Sequence, residues 1–464
     1  MKKSLVLFAF LCSYITFAQD IVGDWKGTLK VMGTDLELQF NFAKNNENYV
    51  GNLSVPQQKA MGIQLTAVKF ENNTLDIFIE DATITYSAKL NANNELVGKF
   101  SQRGQEFDLT LVKGFTEIIK PNRPQEPKAP FDYTIEEVIF ENKKDNATLS
   151  GTLTYPKNKK SFPTVILISG SGPQDRNSEI FHHKPFWVIA DYLTKNGIAV
   201  LRYDDRGVGK STGDRKLATS NDFATDVEAA ISFLKTKKQI DPKKIGLIGH
   251  SEGGMIAQIV ASKDKSIAFI VLLASPGIPG NELLKEQAHR IGKAAGMTEE
   301  ELVKAGKTNE TIYNLVKSDL NQSDLVAQLN AVMSENLKEN MLFQMQSPEE
   351  KEKTLTQQTQ GITVPWFRYF MRFNPSDYIE KIKCPILALN GDKDLQVIAE
   401  SNLTAIAEAV KKAGHKNSTI KEYPNLNHLF QESETGKIEE YETLEQTFSP
   451  EVLKDIKNWI LLQK

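Results

Sequence analysis

Ile248-Gly249-His250-Ser251-Glu252-Gly253-Gly254 places a serine between two glycines at the spacing Gly-x-Ser-x-Gly. A serine hydroxyl is a weak nucleophile until a neighbouring base takes its proton. The glycines point to a sharp strand-to-helix turn, where crowded backbone leaves no room for Cβ atoms. Such a turn lifts the Ser251 hydroxyl above a sheet. It also aims the free N–H groups of the next helix at developing negative charge. The chemistry predicted is acyl transfer through a covalent serine ester. A base and an orienting carboxylate are needed, and in the fold that carries its serine on such a strand-to-helix turn they follow in the chain order serine, acid, histidine. Gly391-Asp392-Lys393-Asp394 supplies two acid candidates. Of the six histidines, His182, His183, His250 and His289 precede that turn, and His415 follows Gly414 at a helix end. A cation there simply complements the helix dipole. His428 is the one that remains, and it is the predicted base.

These groups need a sheet to hold them. Thr164 to Ile168, Ala199 to Tyr203, Ile245 to Ile248, Phe269 to Ala274 and Pro385 to Leu389 are apolar throughout, the pattern of strands buried on both faces of a parallel sheet. Helical segments alternate with them at 184–196, 222–237, 252–262, 399–413 and 450–462, so the sheet is built of βαβ units. Val138 to Phe140 and Leu149 to Tyr155 read as an antiparallel start. Ser251 then follows the strand at Ile245 to Ile248. The acidic turn follows the strand ending at Leu389, where a site at the carboxyl ends of the strands should lie. His428 follows a last strand at Thr419 to Tyr423. Residues 279–375 are rich in Lys, Glu and Gln and helical in character, and are expected to form a cap inserted between two sheet strands. The cap ends in Pro365-Trp366-Phe367-Arg368-Tyr369-Phe370. Its Trp366, Phe367 and Phe370 are candidate walls of a substrate pocket, the alternative being ordinary packing of cap on core.

Ahead of this lies different material. In residues 19–114 Leu36, Leu38, Phe40 and Phe42 alternate with Glu37, Gln39 and Asn41, a period of two. About eight short strands separated by Asn-rich turns predict a small all-β barrel or sandwich. Pro121 to Pro130 carries four prolines, and residues 115–130 read as a semi-rigid linker. Lys2, Lys3 and the apolar run Leu5 to Phe17, closed by Ala18, have the form of a signal peptide over residues 1–18. Its loss would take the formal net charge from −3 to −5. It would also remove Cys12, leaving Cys384 unable to form an internal disulfide. The protein is expected to be exported, to a periplasm or beyond. No later run reaches the ~18 apolar residues of a membrane span.

With order and spacing in place, residues 131–464 resemble the α/β-hydrolase superfamily. Ser169-Gly170-Ser171-Gly172-Pro173-Gln174-Asp175-Arg176-Asn177 and Arg202-Tyr203-Asp204-Asp205-Arg206-Gly207-Val208-Gly209 resemble the bacterial EstD-like carboxylesterase subgroup. More distantly they are similar to serine-aminopeptidase-like and prolyl-oligopeptidase-like hydrolases. The resemblance implies an α/β-hydrolase fold, a mostly parallel sheet with helices on both faces, carrying the inserted helical cap and preceded by the all-β domain. It selects Asp394, the last residue of a Gly-x-x-Asp pattern, over Asp392. It further implies an oxyanion hole of two backbone N–H groups, those of Glu252 and of Ser171, with Gly172 as the other choice for the second. Each such donor contributes about 3–4 kcal/mol to the transition state.

Three look-alikes fail. Gly207-Val208-Gly209-Lys210-Ser211 lacks the glycine at position 204 that a phosphate-binding loop requires. Gly170 to Gly172 lacks the rest of a dinucleotide fingerprint. Asp204-Asp205 has no His or Glu cluster to make a metal site, and an ion pair with Arg206 is the expectation. Formal net charge −3 argues against a nucleic-acid protein, and two cysteines exclude a Cys-rich metal site or disulfide framework. The function expected is therefore hydrolysis of small-molecule acyl esters with no metal or cofactor. A peptidase or amidase of the related branches is the alternative within enzymes. A lipid- or glycan-binding front domain with secondary hydrolase activity is the alternative outside them.

Overall fold

The computed structural model describes residues 20–31, 34–45, 48–58, 60–79, 83–102, 105–114, 122–157, 161–338, 340–415 and 417–463. The expected signal segment, with Cys12, and residues 115–121 of the expected linker lie outside the described residues. The chain forms two compact units, Met1–Lys120 and Pro121–Lys464.

Among its described residues the first unit has nine strands: β1 Gly23–Val31, β2 Thr34–Asn45, β3 Asn48–Val55, β4 Ala60–Gln64, β5 Ala67–Glu71, β6 Thr74–Ile79, β7 Ile84–Leu90, β8 Glu95–Gln102 and β9 Gln105–Lys113. They form one antiparallel sheet in the order β4-β3-β2-β1-β9-β8-β7-β6-β5. The period-two pattern decides which side is inside: Ile84, Tyr86, Ala88 and Leu90 of β7 are buried, and Thr85, Ser87 and Lys89 are exposed. Phe40 of β2 stacks on Tyr86 of β7 with ring centroids 6.0 Å apart, although three strands separate them in the sheet. The sheet is therefore curled on itself as a half-barrel rather than split into two layers. Trp25 is fully buried inside it, and its Nε1–H donates to the Ile21 carbonyl at 2.7 Å.

The second unit holds an eight-stranded sheet: β10 Tyr133–Asn142, β11 Ala147–Pro156, β12 Phe162–Ile168, β13 Ala199–Tyr203, β14 Ile240–His250, β15 Ile270–Leu273, β16 Ile386–Gly391 and β17 Thr419–Tyr423. Its order is β10-β11-β13-β12-β14-β15-β16-β17. The β10–β11 and β11–β13 pairs are antiparallel and the rest are parallel. The helices are α1 Pro185–Lys195, α2 Ser220–Lys235, α3 Glu252–Lys263, α4 Gly280–Ala294, α5 Glu299–Lys317, α6 Gln322–Leu337, α7 Met341–Gln344, α8 Pro348–Gln360, α9 Pro365–Arg372, α10 Ser376–Ile379, α11 Ala399–Lys412, α12 Ile438–Thr443 and α13 Pro450–Leu462.

Continuous apolar strands bury both faces here. Val165 and Leu167 of β12 join a cluster with α1 and α13, through Phe186, Ile189, Val452 and Ile456. Ile166 and Ile168 of the same strand face the opposite cluster, formed with α2, α3 and α11. This is the expected α/β-hydrolase fold. Helices α4 to α9 lie between β15 and β16, where the cap was expected, and hold a small core of their own at Ile312, Val316, Leu325, Leu329 and Met371. The described part of the proline-rich stretch is tied to this unit. Arg123 donates to the carbonyls of Phe181, Glu442 and Leu444, and Gln125 to that of Phe448.

Candidate active site

Strand β14, near the middle of the sheet, runs into α3 through Ser251. The serine is held at φ +54° and ψ −120°, a conformation that costs a non-glycine residue about 1–3 kcal/mol and persists only where surrounding structure enforces it. Here the enforcement is close packing. A Cβ on Gly249 would stand 2.1 Å from the Gly253 carbonyl oxygen, and one on Gly253 2.1 Å from that of Ile168. The Ser251 N–H donates to the Leu273 carbonyl at 2.8 Å, which ties the turn to β15.

The turn after β16 separates the two acid candidates. Asp394 is buried; its Oδ1 accepts from the N–H groups of Gln396 (2.8 Å) and Val397 (2.9 Å). Its Oδ2 lies 2.8 Å from Nδ1 of His428. Asp392 is exposed and accepts from the N–H of Asn425 at 2.7 Å, shaping the loop that leads to His428. The structure thus brings Asp394 and His428 together and gives Asp392 a different partner. Among the described residues no hydrogen bond joins Ser251 Oγ to His428.

Two other histidines hold this loop, and neither was singled out from the sequence. Nε2 of His250 lies 2.8 Å from the His428 carbonyl, so it carries the proton and donates, and the two rings lie 4.8 Å apart. His183 reaches the Tyr441 carbonyl with Nε2 (2.8 Å) and the Thr447 hydroxyl with Nδ1 (2.9 Å). Burial lowers the pKa of both to about 4, so both are neutral at pH 7. Their signal, a histidine in a strand end or loop, looks in sequence like any other.

The residue after the serine, Glu252, opens α3, where backbone N–H groups have no partner within the helix. Among the described residues the N–H groups of Glu252, Ser171 and Gly172 meet no acceptor. The loop after β12 passes directly beside the serine: a Cβ on Gly170 would lie 3.3 Å from Ser251 Cβ. The Glu252 side chain is buried, and burial raises its pKa. Ser220 Oγ and Trp366 Nε1 both donate to its Oε1 at 2.7 Å, so α9 of the cap is joined to the elbow. The other two aromatic candidates, Phe367 and Phe370, lie in packed surroundings. Phe370 stacks on Trp366 at 5.7 Å and is buried in the main core, and Phe367 packs in the cap's own core. The reason is helical spacing: residues 366 and 370 share a face and 367 turns away from it. Arg206 differs from expectation. It pairs with Asp226 (2.7 Å) and Asp145 (2.9 Å) rather than with its chain neighbours, and Asp204 pairs with Arg176 at 2.8 Å. Among the described residues no group of three or more His, Cys, Asp or Glu side chains is placed to hold a metal ion, and no helix is long and apolar enough to cross a membrane.

The family described as serine aminopeptidase, S33, matches residues 181–434, more than half of the chain. Esterase EstD of Thermotoga maritima is 25% identical over 317 residues, which cover 68% of this chain and 65% of that protein. Thiohydrolase apmlB of Arthrinium phaeospermum is 37% identical over 86 residues, 18% of this chain and 28% of that protein. The chain thus spans less than two thirds of the length of either relative. Among solved structures, the α/β hydrolase GrgF from Penicillium is 18% identical with a TM-score of 0.43, covering 71% of this chain and 99% of that one. The esterase Pf2001 of Pyrococcus furiosus is 20% identical with a TM-score of 0.41, covering 74% of this chain and 98% of that one.

Proposed function

This chain belongs to the serine aminopeptidase, S33, family, and on that premise we propose that it is an exported serine hydrolase acting on carboxylic esters of small molecules. The observation that carries the proposal is Ser251, held at positive φ on the β14–α3 turn beside partnerless backbone N–H groups. The hydrogen-bonded pair Asp394–His428 supports it. In the reaction, Ser251 Oγ attacks the acyl carbonyl while His428 Nε2 takes the serine proton. The oxyanion draws on the N–H of Glu252 and on that of Ser171 or Gly172. His428 then protonates the leaving alcohol, and water, activated by the same imidazole, releases the acid. Asp394 fixes the tautomer with Nδ1 protonated, leaving Nε2 free to act as base. EstD's esterase name and its 25% identity favour an ester; the aminopeptidase in the family's description favours an amide as the second reading.

A panel separates the two. The purified full-length protein is offered nitrophenyl acetate, a long-chain nitrophenyl ester and aminoacyl nitroanilides. Hydrolysis of the esters with little of the anilides is expected. Turnover of anilides alone would favour the amide reading, and turnover of none of the three would overturn both.

A further inference from the structure

Asp205 follows β13, the strand that pairs with β12, so it stands beside the loop that β12 feeds. One carboxylate holds that loop at both ends. Its Oδ1 accepts from Ser169 Oγ at 2.7 Å, and its Oδ2 accepts from the Gln174 N–H at 3.0 Å. The Asp205 N–H in turn donates to the Gln174 carbonyl at 3.1 Å. The middle of the loop is held through Arg215. Its Nη1 donates to Asp205 Oδ2 at 3.2 Å, and its Nη2 to the Gly172 carbonyl at 2.7 Å. Phe223 lies under the guanidinium, 4.9 Å from ring centroid to Cζ. Gln174 Nε2 donates to the Ser171 carbonyl at 3.1 Å, which fixes the peptide from the other side. Gly170, Gly172, Asp205, Arg215 and Glu252 line one small cavity. Burial pushes the Asp205 pKa up to about 6, so it is an anion at neutral pH.

We propose that Asp205, with Arg215, is a positioning residue for the reaction: it orients the Ser169–Gln174 loop so that the Gly172 N–H points at the oxyanion. The proposal rests on the serine-hydrolase reading above. A backbone N–H lies in one peptide plane with the carbonyl before it, so the Ser171 carbonyl, bonded by Gln174, sets the direction of the Gly172 N–H, and the Gly172 carbonyl, bonded by Arg215, holds the next peptide, at Pro173. In this proposal Asp205 and Arg215 act through the loop and not on the substrate. Its loss therefore weakens the transition state, where negative charge appears, and spares ground-state binding.

The test is Asp205→Asn in the full-length protein. The amide has the size of the carboxylate but turns an NH2 group toward donors on one side or the other. The kcat for nitrophenyl acetate is expected to fall by about 10²-fold, the scale of losing one oxyanion donor, with KM near the wild-type value. The inhibition constant of an alkyl boronic acid, whose tetrahedral adduct with Ser251 carries a negative oxygen, should rise by a comparable factor. A merely structural role would lower thermal stability and the active fraction while leaving boronate affinity unchanged. Wild-type kcat, or a lower kcat with unchanged boronate affinity, would overturn the proposal. Should Asp205→Asn fail to fold, Arg215→Gln releases the Gly172 carbonyl and removes one donor to Asp205, and it is read by the same two measurements with the same meaning. A wild-type protein that neither hydrolyses the ester nor binds the boronate would overturn the esterase reading itself, before any variant is compared.

Discussion

Asp392 and Asp394 lie two residues apart in one turn, yet their surroundings differ in every respect that matters for catalysis. Asp392 is exposed and caps a loop N–H. Asp394 is buried, accepts two backbone N–H groups on one oxygen and meets His428 with the other. Replacing the orienting acid of a serine triad costs about 10⁴ in turnover. Asp394→Asn should show a loss on that scale in steady-state ester hydrolysis, with KM little changed, and Asp392→Asn should stay within about tenfold of wild type. The opposite ranking would exchange their roles. Ser251, the acidic turn and His428 could be picked out from sequence because short spacing and chain order encode them. His250 and Asp205 could not. Their meaning lies in contacts across the fold, such as the His250–His428 bond between residues 178 apart. Trp366 was found as an aromatic of the cap, but its partner Glu252, 114 residues away, was not.

At the scale of elements, the loop from His428 to Thr447 is irregular except for α12 and is held from outside. His183 reaches both Tyr441 and Thr447 from the segment before α1, and Arg123 and Gln125 bind the same region. The sheet strands and their helices were readable because burial on both faces leaves unbroken apolar runs. The anchoring of residues 122–130 was not, since Arg123 and Gln125 look like any polar side chains between prolines. The anchor at His183 carries a pH dependence. In the unfolded chain a histidine binds its proton near pH 6.5, and in the folded protein burial delays this to about 4. Between those values the unfolded state binds more protons, so acidification through this window lowers stability, and the effect is absent above it. His183→Gln removes the effect. Urea unfolding of both proteins should give a constant stability difference above about pH 7. That difference should shift in favour of the variant by roughly 2–3 kcal/mol toward pH 4. A difference independent of pH would show that His183 does not titrate as a buried neutral group.

Across the whole molecule, chemistry and core are divided between two units. The half-barrel has its own interior, filled by Trp25, Phe40, Phe42 and Tyr86, and it contains no histidine, the first in the chain being His182. Every candidate catalytic group lies in Pro121–Lys464. A chain shortened to that unit should fold, judged by circular dichroism, and keep hydrolysis of nitrophenyl acetate within about tenfold of the full-length protein. A folded but inactive product would mean that the half-barrel completes the site. The change from alternating strands to buried apolar ones marked this division in the sequence, because a half-barrel has one wet face and the second sheet has none. The claim on which the account turns is that Ser251 is the covalent nucleophile. Labelling of the full-length protein with a fluorophosphonate probe, beside Ser251→Ala, tests it most directly. The wild type should be labelled at one site, and the variant, folded by circular dichroism, should not be labelled at all. A variant that still labels, or a wild type that labels at another residue, would contradict the account.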